Sequence, residues 1–404
     1  MEFKLFGEKA LKFVINDIKD DARINILEGS VRSGKTVAMI PKLLKYLNEG
    51  PQGLIAIVGV SKETIYDNVL KDLFETVGEG NYKYNHQRGV LTLFGRNLKV
   101  IGAKDEGAEK YLRGKTLAGA FVDELVLIPQ IFFEQLLNRM SVAGAKLYAT
   151  TNPGSPFHWL REKYMLNEGL LKQGYIKIYH FELKDNPNLE EEYINFITNA
   201  YSGMFYKRFI LGQWVLADGL VYDMFSSEKN IFQNTNKNYT EYYISCDYGI
   251  QNPMVFLLWG KCGKKWYCIK EYYHDGRKEP QKTDEESYND LVKFAGNLKI
   301  KSVIIDPSAS SFIVLIRKKN KFRIQKAKND VFEGINRMAV ALQNQTINYN
   351  ECCTNTIKEF GTYIWDEKAV QRGEDKPVKE NDHAMDASRY FVNTIIYGGG
   401  IKFA

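Results

Sequence analysis

Cysteine and histidine are both scarce, five of each in 404 residues. Cys246, Cys262, Cys268, Cys352 and Cys353 show no C-x-x-C spacing and are odd in number. That argues against a disulfide-stapled secreted fold and predicts free thiols in a reducing cytoplasm. The histidines are too well separated for a structural zinc site. No apolar run approaches the roughly 18 residues that a membrane span needs. The first residues also lack the apolar core of a signal peptide. The expectation is a cytosolic chain with no membrane partner. Internal repeats and low-complexity tracts are missing too, and neither sign of charge dominates. Fifty-five basic against 49 acidic residues leave a net charge of +6, which permits a polyanionic partner without demanding one.

What is present belongs to a globular protein: 44% hydrophobic and 26% charged residues, with 23 phenylalanines and 25 tyrosines that exclude disorder as the main state. The length predicts two or three domains. In the first half, strands alternate with helices. The apolar stretches Ile24–Glu28, Leu54–Val60, Leu117–Val122 and Ala145–Thr150 read as buried strands. Helical patterns cover Thr36–Leu47 and Lys62 to about Val77, and Val90–Phe94 with Leu98–Ile101 reads as a hairpin around Gly95-Arg96-Asn97. This predicts a mainly parallel sheet covered by helices. The Asn- and Ser-rich stretch near Trp214–Thr240 marks a domain boundary, placing one domain at 1–214, a linker at 215–240 and a second domain at 241–404. There, strands at Tyr242–Cys246, Val255–Trp259, Lys265–Tyr272 and Ser302–Ile305, with a helix near Glu285–Ala295, predict a second α/β domain with a mixed sheet.

Gly29-Ser30-Val31-Arg32-Ser33-Gly34-Lys35-Thr36 matches G-x-x-x-x-G-K-[ST] between a strand and a helix. Backbone N–H groups of such a loop cradle phosphates. Lys35 then reaches the β- and γ-phosphates and Thr36 holds Mg²⁺. Asp123-Glu124 follows an apolar strand, with Asp123 suited to Mg²⁺ and Glu124 to polarising an attacking water. Thr150-Thr151-Asn152-Pro153 ends another strand, either as a sensor of the γ-phosphate or as a plain Asn-Pro turn. In the second half, Asp247 and Asp306 end strands, and Asp386 opens the last helix one turn after His383. Three such carboxylates could hold two divalent ions for attack on a phosphodiester. Each also has a plain reading as a turn or cap residue, including Asp382 as the cap of the last helix. Arg317, Lys318, Lys319, Lys321 and Arg323 begin a basic segment that reads as a nucleic-acid contact or as a solvated edge.

In combination these marks resemble the large terminase subunit of tailed bacteriophages, an ATP-driven DNA-packaging motor. Gly29–Thr36, Val122-Asp123-Glu124, Thr150-Thr151-Asn152-Pro153-Gly154, Tyr206–Val215, Asp247-Tyr248-Gly249, Ile305-Asp306-Pro307 and Asp382-His383-Ala384-Met385-Asp386 stand in the family's order over roughly residues 20 to 395. The resemblance implies a P-loop ATPase domain followed by a ribonuclease H-like nuclease. It implies ATP as substrate, Mg²⁺ at the ATPase site and two Mg²⁺ or Mn²⁺ at the nuclease site. Asp247, Asp306 and Asp386 become metal ligands, with His383 as a further ligand or neighbour, and Thr150, Thr151 and Asn152 the coupling motif. Arg113 matches an arginine finger supplied by a neighbouring subunit, with Arg32 competing for that role within the chain. Double-stranded DNA, the procapsid portal, a small terminase subunit and other copies in a ring are the implied partners, in the host cell cytoplasm. Two rival readings are a helicase–nuclease of DNA repair, and a nucleotide-switched DNA-binding scaffold whose nuclease half is inactive.

Overall fold

Fifteen strands in two sheets organise the described residues, which are 6–233 and 237–398 of the computed structural model. The chain divides into two compact units. One is built mainly from the chain up to Thr198 with Tyr206–Leu216, the other from Ala217–Val370 with Asn199–Phe205 and the segment from Asp375 onward.

The first unit contains β1 (Ile24–Gly29), β2 (Leu54–Gly59), β3 (Tyr82–Asn85), β4 (Val90–Leu93), β5 (Arg96–Gly102), β6 (Leu117–Val122), β7 (Lys146–Thr151) and β8 (Ile176–Phe181). Their order is β3-β4-β5-β2-β6-β7-β1-β8. All neighbours run parallel except the β3–β4–β5 meander at one edge. β1 and β6 are buried along their whole length, because helices cover both faces of a parallel sheet. Leu27, Ile57 and Phe121 face one core, and Ile26, Val58 and Val122 the other. The hairpin turn is tighter than the sequence suggests. Leu93 pairs with Arg96, so Phe94 and Gly95, both at positive φ, form the two-residue turn and Arg96-Asn97 lie in β5. The Lys62–Val77 helix forms with one wide turn, Tyr66–Leu70, in its middle.

The second unit contains β9 (Ile231–Phe232), β10 (Glu241–Asp247), β11 (Met254–Cys262), β12 (Lys265–His274), β13 (Ile300–Ile305), β14 (Ile324–Lys326) and β15 (Ile347–Asn350). Their order is β14-β13-β10-β11-β12-β15-β9. β11 is antiparallel to both its neighbours, while β10, β13 and β14 run parallel. The sheet is therefore mixed. Part of the stretch read as a linker packs firmly in this unit. Ala217, Val221 and Tyr222 are buried, Phe225 stacks on Phe360 at 3.9 Å, and β9 pairs with β15. The Asn-rich composition concealed these apolar anchors; residues 234–236 of that run lie outside the described residues. Among the described residues no helix is long and apolar enough to cross a membrane.

Candidate active sites

In the first unit β1, β6 and β7 all end on the same side of the sheet, where parallel sheets bind ligands. β1 ends at Gly29 with φ 131°, and a Cβ there would stand 1.9 Å from the carbonyl oxygen of Phe181. Only glycine lets the loop start this close to β8. The loop then passes through left-handed residues at Arg32 and Gly34 before the helix Lys35–Glu49 begins. The Ser30 hydroxyl donates to the Ile210 carbonyl at 2.7 Å, and the Val31 N–H to that of Phe209 at 2.9 Å. These bonds strap the loop to the segment Tyr206–Val215.

The Lys35 ammonium is buried and donates to the Gly29 carbonyl (3.1 Å), the Ser30 carbonyl, the Ser33 hydroxyl (3.3 Å) and Asn152 Oδ1 (3.1 Å). Burial brings its pKa down to about 7, against the opposing charges of Glu28, Asp123 and Glu124. Asp123 accepts from Thr150 Oγ1 at 2.8 Å and from Asn68 Nδ2 at 3.1 Å, and it lines one small cavity with Thr36 and Thr150. Thr150 Oγ1 also accepts the Glu124 N–H at 3.2 Å, and Thr151 Oγ1 that of Val126. Glu124 sits at φ 52°, an uncommon conformation for a non-glycine residue, and burial beside Asp123 raises its carboxyl pKa. The structure thus gathers Lys35, Thr36, Asp123, Glu124, Thr150 and Asn152 at one place.

The arginines are set apart from that cluster. Arg113 is exposed and pairs with Glu109. It precedes β6, so a strand of about 20 Å separates it along the chain from Asp123. Arg32 is exposed in the loop itself, its carbonyl accepting from Asn186. Sequence reasoning missed Asn68 and Glu28. The buried Glu28 accepts from Trp214 Nε1 at 3.1 Å and meets His180 Nδ1 at 2.7 Å. Its position one residue before the loop was the available signal.

The second constellation lies at the carboxyl ends of β10 and β13. Cys246 and Ile305 are register partners, so Asp247 and Asp306 follow on adjacent parallel strands. Asp247 Oδ2 meets His383 Nδ1 at 2.9 Å. Burial lifts the Asp247 carboxyl to about 6, the His383 bond opposing and the Asp386 charge adding to the rise. Burial alone would lower the His383 pKa, but Asp247, Asp382 and Glu359 outweigh it. Asp306 accepts from the Ser308 N–H at 2.7 Å and from Asn329 Nδ2 at 2.9 Å. Asp386 accepts from Arg389 at 2.7 Å. The Tyr390 phenol, one helical turn after Asp386, lies within electrostatic reach of Asp386, Asp247 and Asp306.

Among the described residues no three His, Cys, Asp or Glu side chains close on a common point where a metal ion could sit. Arg389 holds Asp386 and His383 holds Asp247 in this arrangement. The donor chemistry nonetheless suits a hard cation, because the oxygens are carboxylate oxygens and one of them is kept buried beside other negative charge.

The basic segment is split relative to these carboxylates. Arg317, Lys318 and Lys319 form the last turn of the helix Ser310–Lys319, and Lys321 and Arg323 lead into β14. That helix runs back along β13, and the Val303 N–H, in the second half of that strand, donates to the Arg323 carbonyl at 2.8 Å. A ten-residue helix carries its end about 15 Å from its beginning. Arg317, Lys318 and Lys319 are therefore carried away from Asp306, and Arg323 comes back level with Val303. They are exposed, and Lys319 pairs with Glu285. Lys326 and Lys328 come round to the Asp306 end, since Lys326 pairs with Ile305 across the ladder.

The family model for the N-terminal part of the terminase large subunit, T4likevirus type, matches residues 26–235. The large terminase of a thermophilic bacteriophage, solved in complex with ADP, is 41% identical over 97% of this chain and 100% of its own, with a TM-score of 0.85. The same phage protein solved with ATP-gamma-S is 40% identical over 97% of this chain and 99% of its own, with a TM-score of 0.84. No protein of curated function matches the chain.

Proposed function

Since the chain belongs to the terminase large subunit family, we propose that it hydrolyses ATP to drive double-stranded DNA into a phage procapsid and cuts concatemeric DNA with its second unit. The observation that carries the first half is the cluster of Lys35, Thr36, Asp123, Glu124, Thr150 and Asn152 at the ends of β1, β6 and β7. The relative from the thermophilic phage, solved with ADP and with ATP-gamma-S, supports the same reading. The loop N–H groups and Lys35 take the phosphates, replacing the carbonyl and Asn152 partners the ammonium now has. Thr36 and Asp123 would hold Mg²⁺, which neutralises phosphate charge when bound. Glu124, raised in pKa and hydrogen-bonded through its N–H to Thr150, orients and deprotonates the attacking water. Thr150, Thr151 and Asn152 then link the state of the phosphates to the Asp123–Glu124 turn. Arg113, exposed and outside its own loop, suits a finger acting on a neighbouring copy in a ring; Arg32 is the alternative within the chain.

The second unit is assigned as a ribonuclease H-like nuclease. The support is the strand order, in which β10 to β14 stand as fifth, fourth, first, second, third with only the second reversed, and the carboxylates at the ends of β10 and β13. Asp247, Asp306 and Asp386 would hold the Mg²⁺ or Mn²⁺ that activates water and stabilises the leaving oxygen. His383 keeps Asp247 oriented, and Arg389 together with Asn329 fixes Asp386 and Asp306. The partners proposed are DNA, the portal, the small subunit and other copies of the chain, in the host cytoplasm. A packaging assay with purified procapsid, ATP and linear DNA tests the whole assignment. DNA protected from nuclease only when ATP and procapsid are both present is the expected result; ATPase activity indifferent to procapsid and DNA would overturn it.

A further inference from the structure

The helix His383–Phe391 carries His383 and Asp386, yet its own first residues leave its N-terminus uncapped, since Asp382 makes no side-chain cap bond. The cap comes from elsewhere. Glu359, on the helix Thr354–Phe360, accepts the N–H groups of Ala384 (2.7 Å) and Met385 (3.2 Å) with one carboxylate oxygen. Its other oxygen accepts from the Tyr273 hydroxyl at 2.9 Å. The side chain is 4% exposed, so these bonds have no competition from water.

The helix that carries Glu359 is held in the same manner. Glu271, on β12, accepts the N–H groups of Asn355 (2.7 Å) and Thr356 (2.9 Å) and the Thr356 hydroxyl (2.7 Å). A chain of fixed contacts therefore runs from β12 through Glu271 to one helix, through Glu359 to the next, and from His383 to Asp247. Two carboxylates at two helix N-termini oppose the helix dipoles in the favourable sense. The first partners of Asp247 and Asp386 lie on the helix that Glu359 fixes along its axis.

We infer that Glu359 is a positioning residue for the cleavage site, setting the height and rotation of the His383–Asp386 helix without touching DNA or metal. The inference rests on the nuclease reading above. It separates Glu359 from the carboxylates of the site by chemistry, because the role needs an acceptor for two N–H groups and not a negative charge. Glutamine can meet that need, with its amide oxygen toward the helix and its NH₂ toward the Tyr273 oxygen.

The test uses the full-length chain and three readouts: Mn²⁺-dependent nicking of plasmid DNA, ATPase turnover, and the imidazole resonances of His383 in histidine-labelled protein. Glu359→Ala is expected to slow nicking at saturating DNA by about 10–100-fold, the usual cost of losing an outer partner of a ligand. The KM for DNA and the ATPase should change little, and the His383 resonances should shift. Glu359→Gln should retain most of the nicking rate. If the alanine variant fails to fold, Glu359→Asp, whose carboxylate ends one carbon short of the helix, should show the same loss. A glutamine variant as inactive as the alanine one overturns the inference, since charge would then be the requirement; so does an alanine variant with unchanged nicking and unchanged His383 signals. Failure of the nuclease reading looks different: the parent itself would show no nicking that Asp247→Ala removes. The His383 resonances would still decide whether Glu359 positions the helix.

Discussion

Lys35 shows how burial and function meet in a single side chain. Its ammonium sits among loop carbonyls and is held near a pKa of about 7 by loss of water. Bound phosphate would favour the charged form, so above neutrality ATP binding should take up a proton. Affinity should accordingly weaken as pH rises above about 7, and the binding heat at about pH 8 should depend on the ionisation enthalpy of the buffer. Calorimetry in two buffers checks this; identical heats would contradict it. Thr150 offers a second residue-scale outcome. Its hydroxyl joins Asp123 Oδ1 to the Glu124 N–H, so Thr150→Val should lower kcat for ATP by about 10–100-fold. The KM should move less, as measured by steady-state phosphate release.

At the scale of elements, the turn from β1 into the phosphate loop is limited by the neighbouring strand. Gly29→Ala must place a methyl group against the Phe181 carbonyl and hold φ 131°. The first unit should lose about 1–3 kcal/mol or more of stability, read as a lower thermal midpoint, with nucleotide binding lost as well. The last helix is an element fixed from outside itself. Arg389 is 1% exposed and donates to the Asn329 and Asp330 carbonyls as well as to Asp386. Arg389→Ala would remove these hydrogen bonds, one of them to a carboxylate, at a cost of about 1–3 kcal/mol. It should also depress metal-dependent cutting, which plasmid nicking beside a thermal melt would reveal. The basic segment carries the opposite lesson. Seven cations between Arg317 and Lys328 read as one patch in the sequence, but a helix running back along β13 carries Arg317, Lys318 and Lys319 away from the Asp306 end, to which Lys326 returns. Such clustering also suits a helix C-terminus and an edge strand.

For the whole molecule, the two constellations belong to two compact units. Lys35→Ala should therefore abolish ATP turnover while leaving metal-dependent plasmid cutting largely intact. Asp247→Ala should do the reverse, and loss of both activities in either well-folded variant would contradict the division. The sequence alone determined the phosphate loop, the Asp123–Glu124 pair and the strand-end aspartates, because glycine spacing and apolar runs that stop at a charged residue are local signals. It also determined most strands, since a strand buried on both faces is a continuous apolar run. Tertiary structure decided what depends on pairing between distant segments: the short strands β9, β14 and β15, the packing of Tyr222 and Phe225, and the roles of Asn68, Glu28 and Asn329. Glu359 belongs with these. No pattern around Lys358-Glu359-Phe360 announces a helix cap, because the helix it caps begins 24 residues later. Asp382, the residue local reasoning would choose, stands at that N-terminus without making the bond. A cap can come from any segment that packing brings within hydrogen-bond reach, and burial among neighbouring elements, not sequence adjacency, selected Glu359 here.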